Sequence, residues 1–75
     1  MKITLFGQLT DIAGTSSLVV EAVQDTDALV QAVNIRYPAM AGTRYKIAVD
    51  KKAISVNTVI NENSDLAFLP PFSGG

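Results

Sequence analysis

Between Asp25 and Pro38 runs a single breaker-free segment of helical character, and the rest of this 75-residue chain is patterned as strand or turn. One helix and one small sheet are therefore the main materials, because so short a chain has too little interior to divide between two cores. Asp25-Thr26-Asp27 supplies N-cap side chains and negative charge at the positive end of a helix dipole. Leu29, Ala32, Val33 and Tyr37 then fall on one stripe at i, i+3, i+4 and i+8, and about 12 residues of helix span roughly 18 Å. Pro38 stops the helix, since its missing N–H and its ring clash cannot be absorbed inside one.

Lys2 to Phe6 alternates, with Ile3 and Leu5 on one face, which predicts a half-buried strand ended by Gly7. Gln8 to Ser17 reads as a connection, with Leu9, Ile12 and Ala13 packing inward. Ser17 to Val23 alternates again and can pair antiparallel with the first strand. Beyond the helix, Ala39 to Thr43 forms a turn around Gly42. Lys46 to Asp50 and Ala53 to Asn57 have strand character and are separated by Lys51 and Lys52; Thr58 to Ile60 is a candidate short strand. The pairing of these pieces is left open. Asn61 to Asp65 is a turn cluster, and Leu66 to Leu69 is a last apolar strand closed by Pro70-Pro71. The order is that of an α+β fold. A mixed sheet with the helix across one face, and the last strand beside the first, satisfies it. That arrangement is the β-grasp, or ubiquitin-like, architecture, with residues 1–69 as the domain and residues 70–75 as an extended tail.

Composition narrows the function. A hydrophobic fraction of 48% and a charged fraction of 17% lie in the ordinary globular range. No apolar run approaches the roughly 20 residues that cross a bilayer, and Met1-Lys2-Ile3-Thr4 does not lead into the apolar stretch of a signal peptide. The expected location is the cytoplasm, with no membrane partner. Six basic against seven acidic residues, for a net charge of −1, make nucleic acid an unsuitable partner. Arg44, Lys46, Lys51 and Lys52 gather into a modest patch only if their segments pair, and a solvated surface is the favoured reading. With no Cys and no His, the side chains offer no thiolate nucleophile, persulfide, disulfide, imidazole base or zinc site of the usual kind. Most enzyme classes fall away, and neither a metal nor a bound cofactor is expected.

What remains is the end of the sequence, Leu69-Pro70-Pro71-Phe72-Ser73-Gly74-Gly75. Two prolines in series hold the chain extended, so the residues from Pro70 onward reach about 20 Å at roughly 3.3 Å each. Gly74 and Gly75 lack Cβ atoms, which lets the tail pass a channel too narrow for side chains and lets a nucleotide approach the terminal carbon. A carboxylate is a poor electrophile. The implied chemistry is activation by ATP to an acyl-adenylate on a partner enzyme, followed by attack of a sulfur or amine nucleophile. A frayed end is the competing reading of any Gly-Gly terminus. The Pro-Pro spacer, the apolar Phe72 and the strand directly before them favour a built arm.

The chain resembles the small subunit of molybdopterin synthase, the MoaD family of sulfur carriers, with the ubiquitin-like thiamine-pathway carriers as relatives. The resemblance runs from Leu5-Phe6-Gly7-Gln8-Leu9 and Ile12-Ala13-Gly14-Thr15, through Leu29, Val33 and Ser55-Val56-Asn57, to Asp65-Leu66-Ala67-Phe68-Leu69-Pro70-Pro71-Phe72-Ser73-Gly74-Gly75. It implies a cycle in which an E1-like adenylyltransferase uses ATP to adenylate Gly75 and a sulfur donor converts it to a thiocarboxylate. The tail then enters a large catalytic subunit, where two transfers make the dithiolene of molybdopterin. In such a complex, two small and two large subunits, the chain is the non-catalytic, sulfur-donating part. Two departures stand out. Asn63-Ser64-Asp65 replaces a common Gly-Asp turn, and Lys51-Lys52 replaces a Gly-containing hairpin turn.

For partner binding, Phe72, Pro71, Pro70 and Leu69 on the arm and Phe6 on the first strand are the candidates, with Ser73 and Gly74 threading the channel. Phe6 lies opposite Ile3 and Leu5, and two placements stay open for it: exposed anchor, or burial under the helix or the Gln8–Ser17 loop. Leu69 or Phe68, whichever points outward, extends the patch. Besides a molybdopterin synthase carrier, the sequence is compatible with a carrier of another sulfur pathway, a ubiquitin-like protein modifier joined through Gly75 to lysines, or a β-grasp interaction module with an idle tail.

Overall fold

The computed structural model describes residues 1–71. Five strands form one mixed sheet in the order β2-β1-β5-β3-β4, with β1 at Lys2–Leu5, β2 at Ser17–Val19, β3 at Lys46–Val49, β4 at Lys52–Ile54 and β5 at Leu66–Leu69. β1 and β5 run parallel, and the other neighbours are antiparallel. The last strand therefore lies at the sheet centre beside the first. Its Leu66 and Phe68 point inward, and its Ala67 and Leu69 take the opposite face.

The long helix α2, Thr26–Arg36, supplies the cover for the inner face; α1, the short helix described below, precedes it in the chain. Asp25 caps α2 by accepting from the Ala28 N–H at 2.9 Å. Asn57, far along the chain, adds a second cap: its Oδ1 accepts from the Asp27 N–H at 2.9 Å and from the Thr26 hydroxyl at 3.3 Å. Leu29 and Val33 are fully buried, and Ala32 and Tyr37 pack against the same core, so the expected stripe is the one used. Phe68 lies at the centre of this core with no exposed surface, and Tyr45 stacks on it at 4.2 Å between ring centroids.

Several expectations need correction. The connection Gln8–Ser17 contains a one-turn helix, α1, at Leu9–Ala13, closed by Gly14 in the left-handed region. Leu9 is buried and Ala13 half-buried, but Ile12 faces solvent, although the three share the i, i+3, i+4 spacing of one helix face. β2 ends at Val19 rather than Val23, although Val20 still bonds to Met1 through both backbone groups. Ala39–Thr43 is more than a turn. A 3₁₀ turn at Pro38–Met40 buries Met40 in the core. β4 stops at Ile54 because the chain then leaves the sheet to cap α2, leaving Val56 and Val59 exposed. Thr58–Ile60 makes a single bridge, Asp25 with Val59, rather than a strand. The β3–β4 turn is Asp50-Lys51 rather than Lys51-Lys52, both residues holding left-handed φ of 51° and 69°.

Hydroxyl groups close one edge of the sheet. Met1 and Leu5 bond to Val20 and Ser16, which leaves the N–H and C=O of Ser17 and Val19 facing outward. The Tyr37 hydroxyl accepts from the Val19 N–H at 3.2 Å and donates to its C=O at 3.4 Å. Thr15 treats Ser17 in the same way, at 3.4 and 3.1 Å. Each hydroxyl substitutes for a strand residue, so β2 offers little to a further strand.

Candidate functional site

Phe68 brings the last strand to its final rung with β1, where the Phe6 N–H donates to the Phe68 C=O at 3.2 Å. At Gly7, with φ of 58°, β1 turns away into α1. β5 continues one residue further, with Leu69 opposite Lys46 of β3, and then meets Pro70, which has no N–H to extend the ladder. The tail root is therefore set by three local events: the left-handed turn at Gly7, the start of β3 at Lys46 and the proline pair.

The outer face of the sheet is uncovered beside this root. Register places Ser17, Thr4, Ala67, Ala48 and Ala53 in one row across all five strands, a floor of small side chains. Phe6 and Leu69 stand beside that floor. With Thr4, Ala48, Lys51, Asp65 and Ala67 they line a shallow depression of about 320 Å³. Phe6 is 48% exposed, which resolves its two open placements in favour of the surface, and Leu69 rather than Phe68 points outward. A half-exposed aromatic beside a floor of methyl groups suits docking of an apolar partner surface.

Pro70 is half-buried against Gly7, while the exposed Pro71 lines a different hollow of about 460 Å³ with Tyr45, Arg44, Asn34 and Met40, near the start of β3. Burial raises the Tyr45 phenol above its ordinary range. The four basic residues do not gather: Arg44 and Lys46 stand at the tail end of β3, and Lys51 and Lys52 at its turn end, all exposed. Phe72, Ser73, Gly74 and Gly75 lie outside the described residues. Among those described, no group of three or more His, Cys, Asp or Glu side chains forms a metal site, and no helix is long and apolar enough to cross a membrane.

The structure thus joins Phe6, Leu69 and Pro70, and it adds residues that the sequence reading did not single out. Gly7 read only as the end of a strand, yet it touches Pro70 from the other end of the chain. Thr4, Ala48 and Ala67 carry no chemistry of their own, and only strand register shows that they form one floor. Their signal was present in the alternation of β1, β3 and β5.

A mixed five-stranded sheet, with first and last strands parallel at its centre and one long helix across it, defines the ubiquitin-like β-grasp fold, the fold of sulfur carriers and modifiers of the ThiS/MoaD type. The chain belongs to the ThiS family, whose model matches residues 3–75. Small archaeal modifier protein 1 from Haloferax volcanii is similar at 25% identity and a TM-score of 0.78, covering 100% of this chain and 98% of the other. Its counterpart from Methanosarcina acetivorans has 22% identity, a TM-score of 0.78 and coverage of 99% and 94%. A protein provisionally described as molybdopterin converting factor subunit 1, from Pyrococcus furiosus, has 15% identity, a TM-score of 0.76 and coverage of 95% of each chain. The last two likenesses speak to the fold alone.

Proposed function

We propose that this chain is a sulfur carrier that ends at Gly75 and carries sulfur on the backbone carboxylate there. The observation that carries the reading is the placement of β5: it is paired on both sides, holds the buried Phe68, and runs directly into Pro70-Pro71. A tail anchored this way leaves from a strand paired on both sides, and six residues span at most about 20 Å when fully extended, a length that suits insertion into another protein. The carboxylate attacks the α-phosphorus of ATP on an E1-like partner and pyrophosphate leaves; a donor of sulfide-level sulfur then adds at the carbonyl carbon, expelling AMP and giving up its proton, to yield the thiocarboxylate. ATP belongs to that partner's site. Phe6, Leu69 and the small-residue floor dock the large subunit of molybdopterin synthase while the Ser73-Gly74-Gly75 end threads into its reaction chamber. The carrier supplies no side-chain catalyst, in keeping with a sequence that has neither Cys nor His.

The likeness to small archaeal modifier protein 1 favours a second reading, attachment of Gly75 to lysines of other proteins. Deletion of Gly75 and addition of one Ala after it separate the possibilities in the native cell. A carrier loses its thiocarboxylate and molybdopterin synthesis in both variants. A modifier instead loses a ladder of conjugates on a blot with molybdopterin untouched. Full function in both variants contradicts the two readings together.

A further inference from the structure

The turn that ends β1 and the proline that ends β5 are fitted to each other. Gly7 holds φ at 58°, a region that L side chains rarely adopt, and a Cβ built on it would stand 2.7 Å from Cγ of Pro70. Carbon atoms do not pack that closely, so the Pro70 ring occupies the space that any side chain at position 7 would need. The turn is also locked from its other side. The Gly7 carbonyl accepts from both the N–H and the hydroxyl of Thr10, at 3.2 and 2.9 Å.

We propose that Gly7 is a positioning residue for the tail: its missing Cβ forms the seat of the Pro70 ring, and the seated ring sets the direction in which the chain leaves the sheet. Pro70 has a fixed φ, so holding its ring fixes the start of the segment that follows. A carrier whose reactive atom lies several residues beyond the last strand needs such an aim, because an error at the root grows along the arm. Misplacement of a reacting group by about 1 Å can cost about a hundredfold in rate. This role rests on the carrier reading of the tail, and its test keeps the two separable.

Gly14 provides the control. It also holds a left-handed φ, of 74°, but a Cβ built there meets nothing within 4 Å. Gly14→Ala therefore imposes a similar backbone strain without touching the tail. In wild-type protein, NMR should show a proton contact between the Gly7 α-protons and the Pro70 ring; its absence overturns the seat, whatever the tail does. In the native cell, Gly7→Ala should lower the fraction of protein carrying a C-terminal thiocarboxylate by about tenfold or more, while Gly14→Ala stays near wild type. Combining Gly7→Ala with Pro70→Ala removes the collision, since the built Cβ lies 4.0 Å from the Pro70 Cβ, and should return the fraction to that of Pro70→Ala alone. Equal losses in Gly7→Ala and Gly14→Ala, with chemical denaturation showing both variants folded, contradict the positioning role. A wild-type protein with no thiocarboxylate overturns the carrier reading instead, and the proton contact then decides the seat by itself.

Discussion

At the scale of single residues, the two phenylalanines joined at the last β1–β5 rung sit in opposite environments, Phe68 in the core and Phe6 at the surface. Phe68 is fully buried, so Phe68→Ala should cost about 3–5 kcal/mol in chemical denaturation, a large share of what a domain this small has. Phe6 is half exposed, and Phe6→Ala should stay within about 0.5 kcal/mol while reducing co-purification of the partner enzymes. A folded Phe6→Ala protein that retains its partners in full would remove the outer face from the interface. Tyr45 gives a pH-dependent prediction. Burial raises its phenol in the folded state, so folding favours the neutral form. That contribution is complete below the ordinary tyrosine value of about 10 and is lost as pH climbs through the raised one. Tyr37 opposes it, because the Val19 N–H and then Arg36 hold its phenol below the ordinary range. Comparing Tyr45→Phe with wild type isolates the first effect: the variant keeps the stack on Phe68 and should lose less stability above pH 10.

At the scale of elements, turn and edge chemistry decide how the sheet is finished. Asp50 and Lys51 both hold left-handed backbone in a two-residue hairpin, where Gly at the second position is preferred. Lys51→Gly should therefore raise stability by about 0.5–1 kcal/mol, measured as a higher denaturation midpoint. On the opposite edge, Tyr37→Phe keeps the ring and removes the hydroxyl that occupies both outward groups of Val19. The Val19 amide should then exchange with solvent faster; an unchanged rate would show that the hydroxyl does not guard the edge. Much of this layer was legible in the sequence. The run from Asp25 to Pro38 has caps, a stripe and a stop, and Leu66–Leu69 is apolar up to a proline, so α2 and β5 follow from local chemistry. α1 did not, since one turn of helix is too short to show a period. Met40 did not either, because its burial depends on where the helix exit lands against the sheet. Val56 and Val59 looked like strand and are not: Asn57 is drawn to the α2 N-terminus instead. Gly7 followed the same logic at the site, its partner Pro70 being distant in sequence and adjacent in space.

At the scale of the whole molecule, the described residues form a slab of 30 × 27 × 18 Å, about one helix and one sheet thick. One side is covered by α2, the other is open, and the strand that feeds the tail lies at the centre of the open side. A partner that covers the floor around Phe6 and Leu69 therefore meets the tail root in the same contact. On the carrier reading, topology joins docking to delivery. The most direct test is the intact mass of the protein isolated from its own cells. The expected result is a species ending at Gly75 and heavier than the free acid by about 16 Da, the difference between oxygen and sulfur in a thiocarboxylate. A chain continuing past Gly75, or one found only as the free acid while the cells are making molybdopterin, would contradict the account.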